Sequence, residues 1–317
     1  MKLGLFTAPL PHMTLEEALA WLSARGVQTV ELGTRGPHLY PDDYLDKPEK
    51  IAELKALLAK YNMEISALSC HGNCVHPKAE VAAADQECFE KTVRLAQQLG
   101  IDTILTFSGC PGGCPEDKTP NWVTCAWPDD FQEIADYQWN QVLIPYWKEA
   151  VAFANAHGIY KIGLEMHPGF CVYNVDTLLR LREAVGDTIG ANFDPSHLIW
   201  QGMDLAEAVR ALGKAIYHVH AKDTYLDEGN IKRSGVLSWA HYSNAITRPW
   251  TFRTVGYGIT EKEWKAFVSM LRLVGYEGAL SIEHEDLLMS IEEGLEKAIA
   301  FLRDIITFDD AADMWWA

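Results

Sequence analysis

Short β-rich runs alternate with longer helix-patterned runs eight times along this chain, and no other feature restricts its fold as strongly. The strand-like runs are 3–7, 27–32, 63–70, 102–107, 160–166, 188–194, 215–221 and 278–283. The helix-like runs are 14–25, 48–61, 80–99, 133–157, 175–185, 204–212, 260–274 and 289–306. A glycine stands just past six of the helices, as Gly26, Gly100, Gly158, Gly186, Gly213 and Gly275, where a left-handed residue releases the chain from the last turn. Asn174 with Asp176, and Thr260 with Glu261 and Glu263, read as helix starts. Strict strand–helix alternation implies parallel pairing through right-handed crossovers. Eight such units in 317 residues fit a closed barrel. A doubly wound open sheet is the alternative, but no Gly-x-Gly-x-x-Gly follows the first strand. The expected fold class is α/β: a single (β/α)8 TIM barrel over 1–308, followed by a tail over 309–317 that is acidic and then aromatic. The tail is expected to be frayed, with a partner contact as the lesser reading.

Two connections, about 108–132 and 223–259, are unusually long and leave the C-terminal ends of strands, where barrel active sites form. They carry Trp122, Trp127, Trp239, Tyr242, Trp250 and Tyr257, whose faces suit sugar rings, an apolar group attached to one, or packing against a neighbouring subunit. No apolar stretch approaches the roughly 20 residues that span a bilayer. The first residues read as a strand and not as a signal peptide, so a cytoplasmic protein is expected. Seven cysteines, an odd number, point to reduced thiols. A net charge of −17 opposes nucleic acid and anionic membranes as partners and suits a divalent cation with a neutral substrate.

Four strand-like runs end in groups that bind metals or substrates. They are Leu164-Glu165-Met166-His167, Phe193-Asp194-Pro195-Ser196-His197, His218-Val219-His220-Ala221-Lys222-Asp223 and Ser281-Ile282-Glu283. Side chains alternate along a strand, so Glu165 and His167 share a face, as do His218, His220 and Lys222. Charges pointing into a barrel need a partner or an ion. Glu165, Asp194, His220 and Glu283 offer three carboxylates and one imidazole, a set that favours Mn2+, Mg2+ or Co2+ and leaves Zn2+ and Fe2+ open.

These four motifs, in this order, resemble the xylose-isomerase-like TIM-barrel superfamily, which includes sugar isomerases, ketose 3-epimerases, inosose dehydratase and endonuclease IV. The resemblance covers nearly the whole chain. It implies one divalent ion, commonly Mn2+, held by Glu165, Asp194, His220 and Glu283. It also implies carbohydrate chemistry in which the ion acts as a Lewis acid and a base removes the proton α to a carbonyl. The enediolate then either reprotonates, giving isomerisation or epimerisation, or expels a β-substituent.

Ketose 3-epimerases carry a Glu six residues after the first ligand and an Arg six after the metal His; here those positions are Cys171 and Leu226. His220-Ala221-Lys222-Asp223 is closer to inosose dehydratase. The Glu165-Met166-His167 pairing also resembles catalytic subunits of C-glycoside deglycosidases. Elimination from a keto-sugar or keto-glycoside is therefore the expected reaction, with a sugar isomerase or epimerase as the alternative. His167 is the expected base or acid, titrating near neutral pH. Lys222 orients or protonates a substrate oxygen unless it pairs with Asp223 or Glu285, and Glu283 is counted with them among the catalytic groups. His71, His197 and Arg253 are expected to bind substrate. The expected partners are a small sugar or glycoside, and either further copies of the chain or a small accessory subunit.

Three rivals are distinct. Endonuclease-IV-like repair would use three zinc ions with His71 and His197 among the ligands, but the fourth strand ends Thr106-Phe107-Ser108 where that family needs a His. Cys70, Cys74, Cys110 and Cys114 have the spacing for a zinc cluster held by four thiolates. A non-catalytic sugar-binding or scaffold barrel would leave the site vestigial.

Overall fold

A computed structural model describes residues 1–309, Met314 and Trp316; the rest of the expected tail lies outside the described residues. Eight parallel strands close into a barrel. They are β1 (Lys2–Phe6), β2 (Thr29–Gly33), β3 (Glu64–Ser69), β4 (Thr103–Thr106), β5 (Lys161–Glu165), β6 (Ile189–Phe193), β7 (Ile216–Ala221) and, last in sequence, β10 (Ala279–Ile282). Going round, their order is β1-β10-β7-β6-β5-β4-β3-β2, so each strand sits beside its sequence neighbours and β10 seals against β1 with Leu3 opposite Leu280. This is the (β/α)8 architecture expected from the alternation.

Helices cover the outside wherever the apolar period recurred. The helix starts at Asn174 and Thr260 are reciprocal capping boxes, in which the cap side chain and the third helical residue satisfy each other's backbone N–H. Gly100 ends the longest helix, Ala79–Leu99, at φ +79°, a left-handed conformation that any β-carbon would oppose. The run expected over 133–157 begins earlier, at Asp130. It widens into a π-helical segment, Tyr137–Leu143, before continuing as Ile144–Ala156.

The strand residues Leu3, Leu5, Val30, Leu32, Leu164, Phe193, Val219 and Leu280 are fully buried in the main hydrophobic core. The barrel interior is different, because it is polar. Glu31, Ser66, Ser69, Asn192, His218, His220 and Ser281, from β2, β3, β6, β7 and β10, hydrogen-bond to one another across it. Small residues make room: a β-carbon on Gly190 would lie 2.4 Å from the Ala215 carbonyl oxygen.

The connection 223–259 is more ordered than its sequence suggests. It forms an antiparallel ribbon, β8 (Asp223–Leu226) with β9 (Trp250–Arg253), joined through a short helix, Glu228–Ser234. Asp223 anchors it. Its carboxylate accepts from the backbone N–H groups of Thr224, Gly256, Gly258 and Ile259 and from the Trp264 indole, at 2.8–3.0 Å. Among the described residues no helix is long and apolar enough to cross a membrane.

Candidate metal centre and active-site cleft

The four candidate ligands sit where their strands stop. Glu165 is the last residue of β5, Asp194 follows β6, His220 is next to last in β7, and Glu283 follows β10. One ligand atom from each lies within 4.8 Å of all the others. Local structure aims them. Asp194 caps the helix Pro195–Ile199, accepting from Ser196 N through Oδ1 at 2.9 Å, which leaves Oδ2 to the interior. His220 presents Nδ1 at 3.0 Å from Glu283 Oε2 and 3.4 Å from Glu165 Oε2. Glu165 receives His197 Nε2 at 3.1 Å on Oε1, and His71 Nε2 lies 3.3 Å from Oε2.

This set fits a single divalent cation. Asp194 Oδ2 and His71 Nε2 are buried and complete no well-formed hydrogen bond, having only ionic neighbours: Lys222 Nζ at 3.0 Å and His197 Nε2 at 3.3 Å from the former, and Glu165 Oε2 at 3.3 Å from the latter. Buried polar atoms left in this state call for an ion or a donor. Three carboxylates with one imidazole are hard-to-borderline ligands.

Charge balance within the cluster is internal. Burial raises the Glu283 pKa, but Lys222 and His220 more than reverse this and hold the carboxyl below its usual range. Glu165 is likewise kept well below it, against burial, by the imidazoles of His197, His220 and His71. Conversely His220 and Lys222 are raised well above their ordinary values despite burial, by Glu31 and Glu283 for the imidazole and by Asp194, Glu283 and Glu285 for the ammonium.

Lys222 is almost completely buried, with Nζ 3.0 Å from Asp194, 2.9 Å from Glu283 and 3.2 Å from Glu285. Of the two rival partners for Lys222, Asp223 does not pair with it, since its carboxylate accepts from four backbone N–H groups of the long connection and from the Trp264 indole of the helix that follows. Glu285 does pair with it.

His167 departs from expectation in its titration. Burial, with the neighbouring charges of His197 and Lys222, takes it down to about 3, so the imidazole is neutral at pH 7. Its Nδ1 is 2.6 Å from the Pro168 carbonyl oxygen, which places the proton on Nδ1 and leaves Nε2 as the acceptor. The ring stands 4.0 Å, centre to centre, from His197.

His167 forms part of the wall of two adjoining clefts. One, of about 590 Å³, is lined also by His241, Tyr242, Phe252, Glu285 and Leu287. The other, of about 460 Å³, is lined by Trp122, His197, Trp200, Trp239 and Trp250. The long connections therefore do supply aromatic walls. Of the residues expected to bind substrate, His71 and His197 lie against Glu165, with His197 buried. Arg253 is engaged elsewhere: Nε bonds to Asp286 Oδ2 at 3.0 Å and the guanidinium covers Tyr257 at 5.6 Å.

The four thiols of the zinc-cluster rival do not converge. Cys110 faces Cys171, and Cys114 Sγ donates to Asp117. The residue that sequence reasoning missed is Glu31 of β2, which is fully buried and bonded to His220 Nε2 at 2.9 Å. The only hint was a lone acid between Val30 and Leu32 in an apolar strand.

The closed barrel with acids and an imidazole converging at its strand ends points to a class of protein, and the family comparison identifies that class. The family model described as xylose isomerase-like TIM barrel matches residues 19–305, and the chain belongs to that family. Its relatives include the uncharacterized protein YfiH of Bacillus subtilis (strain 168). The two are 41% identical over 313 residues, which is 97% of this chain and 100% of YfiH. Among solved structures, that of the IolI protein with a zinc atom aligns with TM-score 0.67 at 18% identity, over 98% of this chain and 100% of IolI. The probable 3-DHS dehydratase AsbF of Bacillus anthracis aligns with TM-score 0.66 at 17% identity, over 96% and 99%. At these identities the two structures speak for the fold alone.

Proposed function

We propose that this protein is a divalent-metal-dependent enzyme that removes the proton α to the carbonyl of a keto-sugar or keto-glycoside and completes a β-elimination. The observation that carries the reading is the convergence of Glu165, Asp194, His220 and Glu283 within 4.8 Å at the barrel mouth, beside a cleft walled by His167. A bound ion, Mn2+ or the zinc seen in IolI, supplies Lewis-acid polarisation of the substrate carbonyl. The chain's own groups do the rest.

His167, neutral and with Nε2 free, takes the α-proton. The electron pair of that C–H bond becomes the new C=C bond as the β-substituent leaves with its own pair. Lys222, held as an ammonium by its three carboxylate neighbours, gives the departing group its proton. His71 and His197 orient Glu165 and the substrate hydroxyls, and Glu283 links the ligand set to Lys222. Arg253 acts one step removed, by fixing the connection that bears Phe252 and Tyr242. Leu237 and Trp239, both highly exposed, and Leu287 leave the cleft rims apolar, where a substrate's apolar group, a second copy or a small accessory subunit would seat.

The test is to incubate metal-loaded protein with a panel of 3-keto-glycosides and keto-sugars in D2O. Elimination yields an α,β-unsaturated ketone and a released group. Isomerisation or epimerisation yields a product of the same composition carrying one solvent deuteron. Neither product nor deuterium uptake from any member of the panel would refute the reading.

A further inference from the structure

Glu31, on β2, meets His220 of β7 across the barrel interior. It is completely buried on β2, and among the described residues its ion-pair partners are imidazoles and not a Lys or Arg. Its Oε2 accepts from His220 Nε2 at 2.9 Å and from Ser281 Oγ at 3.2 Å, while Oε1 accepts from Ser69 Oγ. His218 Nε2 stands 3.8 Å away, and its ring is itself held by Asn192 Oδ1 at 3.1 Å and Ser66 Oγ at 3.2 Å. The groups around Glu31 are thus donors aimed at a carboxylate, as a buried anion requires.

His220 has its two ring nitrogens on opposite errands. Nε2 points into the interior toward Glu31, and Nδ1 points out toward Glu283 and Glu165 at 3.0 and 3.4 Å. Carboxylates flank both nitrogens, but only Nδ1 faces the other three candidate ligands; an ion bound among them would take the Nδ1 lone pair, and the carboxylate of Glu31 keeps the remaining proton on Nε2. Phe6 lies parallel to the ring, 6.1 Å away at 12°, and limits its tilt.

We infer that Glu31 is a positioning residue for the metal centre: it fixes His220 as the Nε2–H tautomer and so turns Nδ1 into the fourth ligand. The assignment rests on the four-residue site being a metal site. A carboxylate behind a ligating imidazole sets both ring orientation and ligand basicity, and its loss typically weakens metal affinity about 10–100-fold. Ser69 and Ser281 hold the carboxylate in turn, which extends the support of the centre over β2, β3 and β10.

The experiment is a zinc titration by calorimetry of wild type, Glu31→Gln and Glu165→Gln, with thermal unfolding of each chelated protein as a control for folding. It is joined to a long-range 1H–15N spectrum of the zinc-loaded wild type. The expected results are one Zn2+ per wild-type chain, affinity lower by about 10–100-fold in Glu31→Gln at unchanged chelated-form stability, and a His220 spectrum with a protonated Nε2 and a metal-bound Nδ1. Wild-type affinity in Glu31→Gln, or a His220 whose Nε2 is the metal-bound nitrogen, would overturn the inference while leaving the metal centre standing. The spectrum decides the matter even where Glu31→Gln does not fold. If neither wild type nor Glu165→Gln takes zinc, the metal reading fails and this inference falls with it.

Discussion

Replacing Lys222 by methionine isolates the electrostatics of the cluster, because the substitution nearly keeps the side chain's length and removes the ammonium, with its ion pairs and its position 4.8 Å over the Phe252 ring. In the wild type the ammonium lies 3.0 Å from Asp194, which is fully buried, 2.9 Å from Glu283, whose side chain is 16% exposed, and 3.2 Å from Glu285, which is half exposed. The Glu285 contact is screened by water and counts for little. Stranding buried Asp194, with Glu283 beside it, is the expensive part, and breaking a buried pair from one side typically costs about 3–5 kcal/mol. An unfolding entropy of about 2.1 cal/mol/K per residue gives roughly 0.7 kcal/mol/K for 317 residues, so Tm should fall by about 4–8 °C in chelator.

Adding Mn2+ or Zn2+ stabilises both proteins, by about 2.7 kcal/mol at about 100 times the Kd, and should narrow the gap because the variant, freed of the competing ammonium, binds the ion more tightly than wild type. Differential scanning calorimetry with and without metal reads both effects. A Lys222→Met protein that melts within about a degree of wild type in chelator would refute the reasoning, because the carboxylates would then be balanced some other way.

Other outcomes follow from the same geometry. His167→Ala should lower turnover about 10²–10⁴-fold while metal content stays at the wild-type level; an unchanged rate, measured on whichever keto-sugar proves active, removes His167 from the chemistry. The same imidazole makes a pH prediction. Its folded-state pKa, about 3, lies below the ordinary value of 6.5, so the unfolded chain takes up the proton first and stability drops as pH falls through that window. His167→Gln should therefore lose less stability than wild type between about pH 7 and pH 4.5, read as urea midpoints; an identical loss would contradict the shift.

The barrel was readable because parallel strands buried on both faces and amphipathic helices leave distinct periods, and because glycines such as Gly100 mark where each helix stops. The convergence of the four candidate ligands was readable because each falls at a strand end, where alternation can be counted. Glu31 was not, since a single acid between Val30 and Leu32 has no partner within its own segment; His220, Ser69 and Ser281 reach it only through closure of the barrel.

The ribbon of β8 and β9 was missed for a similar reason. Its strands are four residues each, far apart in sequence, with one ending at Leu226 and the next starting at Trp250, and they are held by tertiary bonds to Asp223. Arg253 read as a free cation until Asp286, on another connection, claimed it. His167 read as an ordinary imidazole because burial and the nearness of His197 are properties of the folded site.

The most direct test of the central claim is metal content per chain, by mass spectrometry of protein purified without chelator or affinity metal, beside the same measurement on Glu165→Gln. Close to one Mn, Zn, Co or Mg per chain in the wild type, lost in the variant, is the expected result. No metal in the wild type even after reconstitution would contradict it, and would leave Glu165, Asp194, His220 and Glu283 as a purely structural charge network.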